Sequence, residues 1–264
     1  MSAATSSRRA MIIVAFLAAL LPASRFTDAE GAARAGKKVA QPTAEQVLER
    51  YAQACGGRAA FDSVRSRVSM GAYEVGGLAL TGKLESYWSA PASFYQRVEV
   101  PMAGAVEFGV RDTVCWKRTP GQPAQPLAGE EKRNVLATMN PFPEIAWRQS
   151  FRTVRAAGVD SVEGRPAFRV ELTDHAGTVV LVDFDQETGL LVRRSTPAAS
   201  ADVPPAIELH SDYRAVGGIR VPFRLVQLTG GRTITTTWES IDINVPLPPS
   251  RFDTPAEVKA GREH

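Results

Sequence analysis

The chain of 264 residues carries 31 Lys and Arg against 28 Asp and Glu, with two cysteines and three histidines. That length supports one hydrophobic core without a disulfide framework. The basic excess sits at the N terminus: beyond residue 29 the balance is 28 against 27, so there is no clustered surplus of Lys and Arg for nucleic-acid binding.

Arg8 and Arg9 precede the apolar run Met11–Leu21. A basic start followed by a run too short to cross a bilayer is the pattern of a secretory signal peptide. We expect residues 1–29 to be this segment, cleaved somewhere between 25 and 36. The Ser7-Arg8-Arg9 wording leaves the ordinary and twin-arginine export routes both open. No cysteine follows the apolar run, and no later stretch is apolar enough for a span. The expectation is therefore a soluble, periplasmic protein, neither lipid-anchored nor membrane-spanning. Export permits a Cys55–Cys115 disulfide, and two buried free thiols are the alternative.

Residues 30–42 are small, basic and aperiodic, and are expected to form a flexible lead-in. Thr43-Ala-Glu-Gln46 has capping-box spacing, with Val47, Leu48, Tyr51 and Ala54 on one helical face. This predicts a helix of about 12 residues that stops at Gly56-Gly57. From Val64 the period becomes two. Leu78, Leu80, Leu84 and Trp88 alternate with polar or small residues, and so do Phe94, Gln96, Val98 and Val100. Short Gly, Pro and Asp breaks make these strands a meander.

The pattern stops between Pro120 and Phe151. Residues 121–126 predict a loop, 129–139 a second helix and 144–150 a third, with Asn140-Pro-Phe-Pro143 between the two. Strands resume at 154–159, 165–173, 178–185, 190–195, 206–214, 219–228, 232–239 and 240–246. The fold class is thus mainly β (α+β): a curled antiparallel sheet or incomplete β-barrel of about 11–12 strands, with an N-terminal helix and a helical insertion as lid. The domain is expected over 43–255, followed by a tail over 256–264.

Particular wording supports this. Gly158-Val-Asp-Ser-Val-Glu-Gly-Arg-Pro-Ala-Phe-Arg-Val-Glu-Leu172, Val182-Asp-Phe-Asp-Gln-Glu-Thr-Gly-Leu-Leu-Val-Arg-Arg194 and Ser211-Asp-Tyr-Arg-Ala-Val-Gly-Gly-Ile-Arg-Val-Pro-Phe223 resemble the periplasmic lipoprotein-sorting proteins of the LolA/LolB-like superfamily. Ala54–Val64, Tyr87–Pro91, Asn244–Pro246 and Phe252–Pro255 resemble other parts of the same pattern. The resemblance spans about residues 43–255. It implies a half-barrel lidded by helices, whose apolar cavity takes lipid or lipoprotein acyl chains. The lead-in and the insertion depart from the best-known carriers, which leaves the ligand open.

Chemistry is scarce. Three histidines, His175, His210 and His264, show no metal-ligand spacing, and no phosphate-loop or zinc motif occurs. His210-Ser211-Asp212 suggests a triad, but adjacent strand residues face opposite ways. Asp183, Asp185 and Glu187 suggest a calcium site, yet the ligand set is incomplete and solvated turn residues are the simpler expectation. No catalytic residue, metal or cofactor is expected, and the protein is read as a non-enzyme. The candidate ligand-binding residues are Leu80, Leu84, Trp88, Phe94, Val98, Phe108, Val170, Leu172, Phe223 and Trp238, the apolar phase of their strands. The expected partners are a lipid or lipoprotein acyl chains and an envelope donor or acceptor protein. Arg97 or Arg111 could meet a head group at the rim, although solvated surface is the ordinary role for both. The competing function is an envelope protein-protein interaction module with a filled core and no ligand cavity.

Overall fold

The period-two stretches fold as their alternation predicts. The computed structural model describes residues 41–78, 80–137, 139–197 and 205–260. The expected export segment, and the lead-in up to residue 40, lie outside the described residues. One antiparallel sheet of 13 strands forms: β1 Ser66–Val75, β2 Leu80–Ser89, β3 Ser93–Val100, β4 Gly104–Arg111, β5 Val114–Arg118, β6 Gln125–Pro126, β7 Phe151–Val162, β8 Arg165–Asp174, β9 Val179–Asp185, β10 Leu191–Thr196, β11 Ala206–Val216, β12 Ile219–Thr229 and β13 Arg232–Ile243. The helices are α1 Ala44–Ala54, α2 Arg58–Asp62, α3 Gly129–Ala137, α4 Trp147–Ser150 and α5 Ala256–Ala260, with a 3-10 turn at Pro249–Phe252.

Across the sheet the order is β6-β5-β4-β3-β2-β1-β13-β12-β11-β10-β9-β8-β7. Every neighbour is consecutive in the chain except β1 and β13. The chain therefore starts mid-sheet, walks to one edge, crosses to the other and returns. Thirteen twisted strands do not stay flat, so the sheet curls without closing. The 127–150 segment must connect its two edges, and it does so across the concave face, where Ile145 and Trp147 are buried.

The expected 144–150 helix is confined to Trp147–Ser150 and the 154–159 strand extends over Phe151–Val162, and three further regions differ from expectation. Residues 232–243 form one strand rather than two. The pairing steps from Met70↔Ser240 to Gly71↔Trp238, and this bulge keeps both Trp238 and Ile241 on the inner face. A two-residue strand, β6, occupies the end of the expected 121–126 loop, where it pairs with β5. The domain also continues past 255: Val258 of α5 is buried against Trp116 and Ala124 on the convex face, so at least residues 256–260 are packed structure rather than tail.

The N-terminal helix forms as its capping box predicts. The Thr43 side chain accepts from the Gln46 amide, and the Gln46 side chain accepts from the Thr43 amide. Its exit requires glycine: Gly56 has φ +115°, and a Cβ there would sit 2.4 Å from the Gly218 carbonyl oxygen. The same turn receives a hydrogen bond from the Arg220 amide to the Cys55 carbonyl, 2.7 Å. The helix end is thereby fastened to the β11–β12 hairpin.

Candidate functional site: the concave face and its covers

Residues paired across neighbouring strands share a face. Following the register from Trp238 through Gly71 to Leu84, Val98 and Val106 traces the concave surface. All ten expected ligand-binding residues belong to it, distributed over several clusters. Leu84, Val98, Phe223 and Trp238 are buried in the central cluster, with Leu80 and Trp88 against it. Val170 and Leu172 lie in the cluster under α1. Phe108 sits with Val100 and Val106, and Phe94 packs beside Val110 and Cys115.

The covers differ along the sheet. Over β7–β9, Val47 and Leu48 of α1 and Trp147 of α4 interlock with Val170, Leu172, Val182 and Phe184. Over β3–β5, Val135, Leu136 and Met139 are only partly buried. Two polar contacts fasten the segment after α3. Trp88 Nε1 donates to the Met139 carbonyl, 2.8 Å, and Arg194 of β10 hydrogen-bonds and pairs with the buried Glu144. Phe142 stacks edge-on against Phe61 with centroids 4.7 Å apart.

Between α2, the end of β2 and residues 139–149 lies a cleft of about 380 Å³. Phe61, Trp88, Met139, Phe142 and Ile145 wall it, with Arg58 and Arg148 also at its lining. Of the ten expected residues, Trp88 alone borders this cleft; the others pack in the apolar clusters of the concave face. At one side of the opening Glu49 of α1 takes hydrogen bonds from both Arg58 and Arg148. The Arg58 bond chiefly holds its carboxyl down to about 2.

The concave face also holds polar groups that sequence reasoning missed. Glu208 stands 2.8 Å from His210 Nε2 and accepts from Gln227. Burial would raise its pKa, but the His210 and Gln227 contacts and nearby Arg194 bring it to about 2. Tyr213 donates to the Leu191 carbonyl, and burial pushes the pKa of both Tyr51 and Tyr213 upward. Arg67, on β1, lies in the same inward phase.

Arg97 and Arg111 keep the surface role expected for both rather than the rim alternative: they fall on the convex phase, where Arg97 lies near Glu85 and Glu99, and Arg111 pairs with Asp253 of the C-terminal segment. Other expectations need correction. Asp183 is not a solvated turn residue; it is wholly buried, bonded by Arg169 and Arg193, which also meet Asp160. Asp185 is buried too and caps its turn by accepting from the Glu187 and Thr188 amides, while Glu187 is exposed. Alternation had placed these acids on one face but could not show that arginines of β8 and β10 neutralise Asp183 there.

Among the described residues, no three His, Cys, Asp or Glu side chains converge as a metal site. His210 pairs with Leu225 and Ser211 with Arg224, in opposite phases, so the two do not face each other. Cys55 and Cys115 are free and buried in separate clusters. Burial pushes the Cys55 thiol up to about 12, which leaves it protonated.

Solved structures of similar fold exist. A DUF1329 family protein from Desulfovibrio piger superposes with a TM-score of 0.61 at 13% identity, covering 80% of this chain and 97% of that one. A LolA superfamily protein from Nitrosomonas europaea gives 0.55 at 14%, covering 81% and 99%. The chain has a LolA-like fold. A putative outer membrane lipoprotein-sorting protein domain from Vibrio parahaemolyticus gives 0.56 at 11%, covering 80% and 97%. No family model matches the sequence, and no curated protein matches it. Among the described residues, no helix of this LolA-like chain is long and apolar enough to cross a membrane.

Proposed function

We propose that the protein is a non-catalytic periplasmic carrier or sensor of an apolar ligand, a lipid or the acyl chains of a lipoprotein. The ligand lies between the concave sheet and the 129–150 insertion, and residues 1–29 are removed on export. One observation carries this reading: the apolar inner surface of β2–β5 has a thin, partly buried cover, and a cleft of about 380 Å³ opens at that cover's margin. Binding sites for small ligands span roughly 300–1,000 Å³. Displacing α3 would uncover Val106, Phe108 and Val110. The lipoprotein-sorting description of one fold neighbour supports the ligand class.

The energetics permit it. Each methylene moved from water into such a cleft contributes about 0.8 kcal/mol, so half of a palmitoyl chain supplies roughly 6 kcal/mol before association costs. Titration of a fluorescent fatty acid into wild type, Leu84→Glu and Phe108→Glu tests the proposal, with circular dichroism confirming folding. We expect saturable micromolar binding to wild type and at least a tenfold loss in the variants. Absence of saturable binding to wild type, or equal binding by folded variants, would replace the carrier with an interaction module whose interior stays filled.

A further inference from the structure

Arg67 is a charged group that the acyl-binding reading leaves unused. It stands on β1 in the inward phase, directly opposite Trp88 of β2 and Ile243 of β13. Its Nε donates to Ser69 Oγ at 3.0 Å, and its other N–H groups have no partner among the described residues. Burial alone draws its pKa down to about 10, with no carboxylate opposing the shift. The buried or inward guanidinium groups of Arg169, Arg193 and Arg194 all meet acids. An isolated charge in such surroundings is strongly unfavourable unless something pairs with it. The side chain nonetheless keeps partial accessibility.

Polar groups continue from Arg67 across the sheet. The register sets the buried Ser69 opposite Ser86, and Ser86 opposite Gln96. They form one polar row between the apolar pairs Trp88–Phe94 and Leu84–Val98. No described side chain hydrogen-bonds to those of Ser86 or Gln96. Directly opposed side chains stand about 4.5–5.5 Å apart at Cβ. A small acid group held against Arg67 would thus also be within reach of Ser69 and Ser86.

We propose that Arg67, with Ser69, Ser86 and Gln96, forms an interior site for the acid group of the ligand, which is an acyl chain ending in a carboxylate. This rests on the carrier reading and adds to it a preference for acids over neutral lipids. The guanidinium gains the counter-ion the protein does not provide, and the chain lies along the apolar pairs on either side of the polar row. Hydrogen bonds to a charged group predict a preference of roughly ten- to a hundredfold.

The experiment compares palmitate, its methyl ester and inorganic phosphate by tryptophan fluorescence, in wild type, Arg67→Gln and Ser86→Ala. Wild type is expected to bind palmitate at least tenfold more tightly than the ester. In Arg67→Gln that preference should disappear, with palmitate affinity falling to that of the ester and the melting temperature not falling. Ser86→Ala should reduce the preference severalfold. Equal binding of acid and ester by wild type, or a preference that survives in Arg67→Gln, would overturn the acid-group site and leave the carrier intact. Saturable phosphate binding with neither acyl ligand bound would overturn both. So would the absence of any binding.

Discussion

The β7–β9 end of the concave face and the β2–β5 end are built from the same alternating strands, yet they are closed in different ways. At the first, α1 is capped on both sides of its box, and Leu48 and Ala52 have no exposure at all. Arg50 ties the helix to the β9–β10 turn through the Gln186 and Glu187 carbonyls, 2.8 and 2.9 Å. At the second, none of the described side chains of α3 is fully buried, and the segment after it is held by the Trp88 and Arg194 contacts together with the packed Phe142, Ile145 and Trp147. Packing of large side chains makes the first cover part of the core. Over the second, α3 lays only partly buried side chains on the sheet, so less apolar area would be exposed if α3 lifted than if α1 did.

Truncations should expose this asymmetry most strongly. Leu48→Ala is expected to lower unfolding free energy by about 3 kcal/mol, since a fully buried leucine leaves a cavity. Leu136→Ala is expected to cost less than about 1 kcal/mol. Urea titrations decide it, and similar losses would mean that α3 is as firmly packed as α1.

Breaking the Arg194 latch comes next. Arg194→Met leaves the buried Glu144 carboxyl without its cation, at a cost of about 2 kcal/mol. Amide exchange should accelerate across 139–150 and stay unchanged in α1. Uniform acceleration would show that the two covers open together. A smaller effect, about 1 kcal/mol, is expected for Trp88→Phe, which removes the bond to the Met139 carbonyl and part of the ring at the cleft wall. Its exchange signature should be confined to the same segment.

The smallest expected effect is that of acid. The Glu49 carboxyl is held at about 2, below its ordinary 4.5, chiefly by Arg58 and then by Arg148. Because the folded value is depressed, its stabilisation is complete above about pH 4.5 and is lost as the pH falls toward 2. The group is partly exposed, so screening keeps the effect under about 1 kcal/mol. Limited proteolysis by an acid protease should then cut nearer α4 as the pH is lowered. Invariant cleavage between about pH 5 and 2.5 would remove Glu49 from any role in holding that margin.

Local chemistry made much of the architecture legible. Thr43 and Gln46 determined where α1 begins, and Gly56 determined where it stops. The alternation around Leu84, Val98 and Phe108 showed which strand face is apolar, because a period of two survives any tertiary arrangement. Alternation also separated His210 from Ser211. What no local pattern contains is which strands become neighbours. The pairing of β1 with β13 joins residues 159 to 176 positions apart, and that pairing turns the 127–150 interruption into a bridge between sheet edges. The same long-range register decided which charges count. Arg97 and Arg111, whose ordinary surface role left a rim position open, lie on the convex side. Asp183 looked solvated and is enclosed by arginines of two other strands. Arg67 drew no notice in the chain and stands inside, because its surroundings are supplied by β2 and β13. Sequence determines the phase of each strand through the backbone; only the tertiary structure, by bringing distant strands together, decides what each phase faces.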